Sequence, residues 1–131
     1  LSFEVTETAA VSDLSSSAGI IHELKSLGCK VALDDFGSGQ ASYSYLKQLP
    51  VDWLKIDGVF VRKIATNSDD FAVVKSINEI GHFLGKKTIA EYVADDDILA
   101  KIREIGVDFA QGFGISPPLL MEDLLQTRQI A

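Results

Sequence analysis

The chain has 131 residues, 47% of them apolar, the size of one domain with enough hydrophobic content to bury a core. A formal net charge of −7, with Lys and Arg dispersed, argues against polymeric DNA or RNA as a partner, because such binding rests on clustered cations that neutralise phosphates. No apolar run reaches the length of a membrane span and no basic-then-apolar leader opens the chain, so the segment is expected to be cytoplasmic and not itself inserted in a membrane. Leu1 rather than Met comes first, so it is read as a segment of a parent whose flanks could carry a tether. The single cysteine, Cys29, forms no intrachain disulfide and is expected in the core.

In chain order, short apolar runs with polar ends are predicted as strands over residues 1–7, 30–36, 52–57, 87–93 and 108–113. The stretch at 12–19, "SDLSSSAG", is predicted as a turn into a first helix carrying Ile20, Ile21, Leu24 and Leu27. Later helices carry Phe71, Val74, Ile77 and Ile80, then Ile98, Leu99, Ile102 and Ile105, at helical spacing. Ser68 is predicted to cap the helix that begins at Asp69 and Asp70, and Gly28, Gly85 and Gly106 to end helices as left-handed glycines. Each of these glycines is followed five or six residues later by a polar strand tip, at Asp34, Glu91 and Gln111 respectively. Strands alternating with helices imply an α/β fold with a parallel sheet in one domain.

Parallel strands share one C-terminal end, where α/β folds carry their sites. The tips gathered there are Glu4, Glu7, Asp34, Asp35, Lys55, Asp57, Glu91 and Gln111, a carboxylate-rich ring with one lysine. Adjacent carboxylates at the rim of a core repel each other and lose hydration, which a bound cation offsets most simply. Hard cations such as Mg²⁺ or Mn²⁺ take oxygen ligands, and a pair of them can clamp the attacking and leaving oxygens of a phosphate ester while a lysine steadies the growing charge. Each piece alone has a plainer explanation: Asp-Asp before Gly is commonly a turn device, and isolated acids or a strand-end lysine commonly face solvent. His22 and His82 are expected to be structural or solvent-facing, and Trp53, Tyr43 and Tyr45 to be packing groups.

Taken together, "FEVTETA" at 3–9, "LDDFGSG" at 33–39, "SYLKQLPVDWLKID" at 44–57, "IAEYV" at 89–93 and "DFAQGF" at 108–113 resemble the second half of an EAL-domain cyclic-di-GMP phosphodiesterase. The resemblance covers nearly the whole of residues 1–131 and implies the C-terminal five βα units of a modified (β/α)₈ barrel, incomplete in this chain. It implies metal-dependent opening of cyclic-di-GMP to linear pGpG by the parent, with two Mg²⁺ or Mn²⁺ ions. By the same resemblance Glu4 is a metal ligand, Asp34 the carboxylate shared by both ions, and Asp35 a ligand of the second. Lys55 contacts the attacking water, and Glu91 is a second-metal ligand or base. Glu7 anchors the loop after Asp35, and Gln111 and Asp57 support the site.

The chain departs from the family where Tyr92 and Ala94 stand in "EYVA" for the usual Gly and Glu, and where Gln40 replaces a common aromatic. The family's Glu-Ala-Leu strand and its asparagine ligand lie in the half not present here. A closed barrel needs about 250 residues, so association into a homodimer or higher assembly is expected, with sensor or GGDEF-type domains flanking the segment in the parent. The isolated chain is expected to have little activity. A degenerate domain that binds cyclic-di-GMP, or a partner protein, without cutting is the alternative. A receiver domain matches the length but needs its acid pair on the first strand and Lys-Pro on the last.

Overall fold

A computed structural model of the chain describes residues 2–37, 43–112 and 115–120, with the backbone alone for Tyr43 and for residues 115–120. In chain order the elements are β1 (Ser2–Thr6), α1 (Glu7–Ser12), α2 (Leu14–Ser26), β2 (Lys30–Phe36), α3 (Tyr43–Leu46), β3 (Trp53–Ile56), α4 (Gly58–Val61), α5 (Ser68–Phe83), β4 (Lys87–Ala90), α6 (Asp96–Ile105), β5 (Phe109–Gly112) and β6 (Ile115–Leu120). Among the described residues the strands form one six-stranded sheet in the order β1-β2-β3-β4-β5-β6. Neighbours from β1 to β5 pair in parallel. This consecutive order is that of a (β/α) barrel wall, whereas a receiver-type doubly wound sheet interleaves its strands, so the receiver reading fails on topology.

Beyond the strands expected from sequence, β6 pairs antiparallel with β5 and brings Pro117 and Pro118 to the sheet edge. An edge is where strand prolines are tolerated, since neither can donate to a ladder on both sides. Two boundaries also moved. Glu7 is the first residue of α1, not a strand tip, because Thr6 caps that helix by accepting from the Ala9 N–H. The stretch 12–19 lies almost wholly in α2, whose cap is Asp13.

Alternation and register give the sheet two faces. Val31, Leu33, Leu54, Ile56, Thr88, Ala90 and Ala110 are buried on the face that the helices cover. Val74 and Ile77 of α5 and Leu99 and Ile102 of α6 complete that core. Gly81 lets α5 sit close: a Cβ there would lie 3.0 Å from Leu54 Cδ1 and 3.1 Å from Thr88 Cγ2. The opposite face, in register across the strands, carries Glu4, Ala32, Trp53, Lys55, Lys87, Ile89 and Phe109, with Trp53 and Phe109 edge-on at 6.3 Å. Its C-terminal end points Glu4, Lys55, Glu91 and Gln111 the same way.

Gly28, Gly85 and Gly106 do take positive φ at helix ends, as their sequence context predicts. The cap of α5, however, is Asn67, whose Oδ1 accepts from the N–H groups of Asp69 and Asp70, and Ser68 is the first helical residue. Cys29 is only partly buried, at the junction of α2 and β2, where its N–H serves Leu24 O at 3.1 Å, so it is not a core residue. His82 bridges to Asp108 (Nε2 to Oδ2, 2.6 Å) and His22 is exposed, in keeping with structural or solvent-facing roles.

Candidate metal centre

In a regular strand Asp34 and Asp35 would point to opposite faces. Here the pairing shifts from Leu33↔Leu54 to Phe36↔Ile56, so two residues of β2 oppose the single residue Lys55 of β3. Such a bulge bends the strand and re-aims its side chains. Asp35 takes φ 56°, a left-handed conformation that Asp tolerates better than most residues. Its N–H donates to Asp34 Oδ1 at 2.9 Å. The outcome is that oxygens of Asp34, Asp35 and Glu91 all lie within 4.8 Å of one another.

Lys55 is 7% exposed, which removes the plain reading of it as a surface residue, and it donates to Glu4 Oε1. Glu4 therefore belongs to the site through Lys55, and it is not part of the three-carboxylate group. Glu7 is buried at 2% exposure and accepts from the Tyr45 hydroxyl and from the Gly37 N–H (3.1 Å), which joins it to the backbone just after the aspartates. The loop residues beyond it, including Gly39 and Gln40, lie outside the described residues, as does Phe113. Asp57 caps α4 by accepting from the Val59 N–H at 3.0 Å. Gln111 lines the cleft of about 310 Å³ that Asp34, Lys55, Glu91, Tyr92 and Gly112 share.

The cluster is electrostatically loaded. Burial, a hydrogen bond with Asp34 and the charge of Asp34 push the Glu91 carboxyl up to about 8 from 4.5, with Lys55 pulling the other way. Burial and the charges of Asp34 and Asp57 also raise Asp35. Burial lowers the Lys55 ammonium, but the hydrogen bond and charge of Glu4, with Asp34 and Glu91, outweigh it and the net shift is upward. Lys55 thus stays a cation beside these carboxylates.

The donor set fits a hard divalent cation. Its atoms are carboxylate oxygens, and Glu91 Oε1 and Gln111 Oε1 are buried without a hydrogen-bond partner among the described residues. Such orphaned oxygens call for a ligand, and a cation at the cluster would take Glu91 Oε1 and offset the crowded negative charge. Asp34, Asp35 and Glu91 would hold it.

The sequence matches the family described as the EAL domain over residues 1–118. The chain belongs to the EAL domain family. It is 46% identical over 116 residues to the cyclic di-GMP phosphodiesterase PdeB of Shewanella oneidensis, covering 88% of this chain and 14% of that protein. It is 47% identical over 110 residues to the cyclic di-GMP phosphodiesterase PdeA of Borreliella burgdorferi, covering 84% of this chain and 16% of that protein. Among solved structures, a PaMucR phosphodiesterase in a c-di-GMP complex superposes with a TM-score of 0.83 at 38% identity, covering 95% of this chain and 50% of that one. The EAL domain of Mycobacterium smegmatis DcpA gives 0.80 at 33% identity, covering 96% and 56%. This EAL chain therefore spans about one seventh of those two curated relatives and about half of the solved EAL chains. Its fold is the barrel-type α/β fold of EAL domains, present in part.

Two residues at this candidate site have roles that local sequence chemistry does not signal. Tyr45, expected to pack, also donates its hydroxyl to Glu7, and only the spacing of both to a glycine loop hints at that. Tyr92, a departure from the family pattern, forms a wall of the cleft at φ 58°, and no local pattern signals that.

Proposed function

We propose that the native polypeptide containing this chain hydrolyses cyclic-di-GMP to the linear dinucleotide with the help of Mg²⁺ or Mn²⁺, and that residues 1–131 are the C-terminal part of its EAL domain. The observation that carries this reading is the convergence of Asp34, Asp35 and Glu91 within 4.8 Å beside a buried, charged Lys55. Two curated relatives named as cyclic di-GMP phosphodiesterases support the substrate. When bound, the cations supply Lewis-acid stabilisation of the phosphate oxygens and lower the pKa of water. Asp34, Asp35 and Glu91 would hold the cations, with Glu91 also placed to take a proton, and Glu4 would join the ligands or hold Lys55. Lys55 would contact the attacking water or stabilise the charge that builds on phosphorus. Glu7 anchors the turn after Asp35, and Asp57 and Gln111 steady the neighbouring backbone and cleft. The unit is further proposed to work in the cytoplasm; among the described residues no helix is long and apolar enough to cross a membrane.

The native protein is further proposed to be a homodimer and to carry a flanking sensor or GGDEF-type domain. A relative named as a bifunctional diguanylate cyclase/cyclic di-GMP phosphodiesterase, MucR of Pseudomonas aeruginosa, supports the second part. The test is chromatographic assay of the native protein with cyclic-di-GMP and Mn²⁺ or Mg²⁺. Conversion to pGpG that stops with EDTA is expected, and absence of product with wild-type protein and metal would overturn the hydrolase reading. A second reading, a binding module without turnover, is favoured by Tyr92 and Ala94, which leave the strand end with one carboxylate, Glu91. Tight nucleotide binding with no product would select it.

A further inference from the structure

Glu91 precedes a residue that is expensive where it stands. Tyr92 has φ 58°, and a bulky aromatic in the left-handed region is an outlier that persists only where surrounding contacts hold it. Those contacts are on α4. The Tyr92 ring rests directly on Gly58: a Cβ at that glycine would lie 1.8 Å from Tyr92 Cδ2 and 2.6 Å from Cε2. The Arg62 guanidinium, one turn further on, stands 4.9 Å from the ring centroid, a cation–π contact. On the other side of the same turn, Val93 is fully buried and its N–H donates to Gln111 O at 2.9 Å. Gly112, at φ 139°, brings backbone against backbone, since a Cβ there would lie 2.3 Å from Val93 O.

The turn at 91–93 is thus gripped from both sides, by α4 through Tyr92 and by β5 through Val93. From this we infer that Tyr92 is a positioning residue: its ring, seated on Gly58 and Arg62, clamps the turn after β4 and so fixes where the Glu91 carboxylate meets Asp34 and Asp35. The inference rests on the metal-centre reading for the use of Glu91, but the clamp itself is independent of any ion. It assigns Gly58 as the socket that the ring requires, and Arg62 as the group that holds the ring there.

Amide hydrogen exchange at Val93, followed by NMR in the native polypeptide, reads the clamp, and Mn²⁺ titration of the same proteins reads its consequence. Tyr92→Phe keeps the ring and is expected to match wild type in both. Tyr92→Ala keeps the strained backbone without the ring, and Gly58→Ala evicts the ring; each is expected to speed Val93 exchange by about tenfold or more and weaken Mn²⁺ binding by about tenfold. Tyr92→Gly relieves the strain as well as removing the ring and is expected to fall between. Arg62→Met is the milder probe should Gly58→Ala not fold, with a smaller change in the same direction. Wild-type exchange at Val93 in Tyr92→Ala would overturn the clamp whatever the metal result. Accelerated exchange with no Mn²⁺ binding by wild type would instead uphold the clamp and sink the metal reading.

Discussion

Asp34 and Asp35, adjacent in the chain, both stand opposite Lys55 in the sheet, because β2 carries one residue more than β3 between Leu33 and Phe36. That single extra residue converts a pair that a regular strand would split between two faces into a pair aimed at one cluster with Glu91. Burial first, and then the neighbouring like charges, raise the Glu91 and Asp35 carboxyls.

Asp34 carries both the hydrogen bond to Glu91 and much of the charge that raises it. Asp34→Asn is expected to bring the Glu91 carboxyl down toward its ordinary range and to weaken Mn²⁺ binding by at least about tenfold, with loss of hydrolysis in the native protein. Carbon-detected NMR titration and calorimetry measure the two. Unchanged Glu91 titration together with unchanged Mn²⁺ affinity would refute the cluster.

The raised Glu91 also fixes the sign of a pH effect. Between 4.5 and about 8 the folded chain holds a proton that the unfolded chain has released. This group's contribution to stability is therefore full below pH 4.5, falls as pH rises to about 8, and is level above. Metal competes with that proton, so divalent affinity rises through the same window. Thermal melts in EDTA are expected to fall across it relative to Glu91→Gln, and added Mn²⁺ to raise the melting temperature most at the alkaline end. A metal effect equal at pH 5 and pH 8 would count against this.

Glu7 takes two donors in a buried position, the Tyr45 hydroxyl and the Gly37 N–H. Glu7→Ala strands both, so a loss of about 1–3 kcal/mol per unsatisfied group is expected in urea unfolding. Tyr45→Phe removes one charge-assisted bond and is expected to cost about 1.5–3 kcal/mol. If Tyr45→Phe unfolds at the wild-type midpoint, the Glu7 anchor is not load-sharing as described.

Asn67, not Ser68, satisfies the first N–H groups of α5. Asn67→Ala is expected to cost about 1 kcal/mol, whereas Ser68→Ala should stay within about 0.5 kcal/mol of wild type. Reversal of that ranking in denaturant midpoints would restore the serine as cap.

Much of the architecture was legible because it is written in local chemistry. Gly28, Gly85 and Gly106 stop helices through a conformation other residues resist, and each announces a strand whose polar tip lies five or six residues on. Helical spacing placed Val74, Ile77, Leu99 and Ile102 in the core. Where two residues offered the same local chemistry, as Asn67 and Ser68 do, composition could not choose between them. Glu7 illustrates the same limit: a glutamate after a strand-like run starts a helix here because Thr6 caps it.

The sequence by itself determined which groups stand at the strand ends, since alternation and turn chemistry depend on neighbours in the chain. It could not determine register. The bulge at Asp34 and Asp35, the reach of Lys55 to Glu4, the antiparallel edge strand β6 and the seating of Tyr92 on Gly58 all join residues far apart in sequence. Such contacts are decided when strands and helices pack, because only then do desolvation and backbone proximity set which side chains meet.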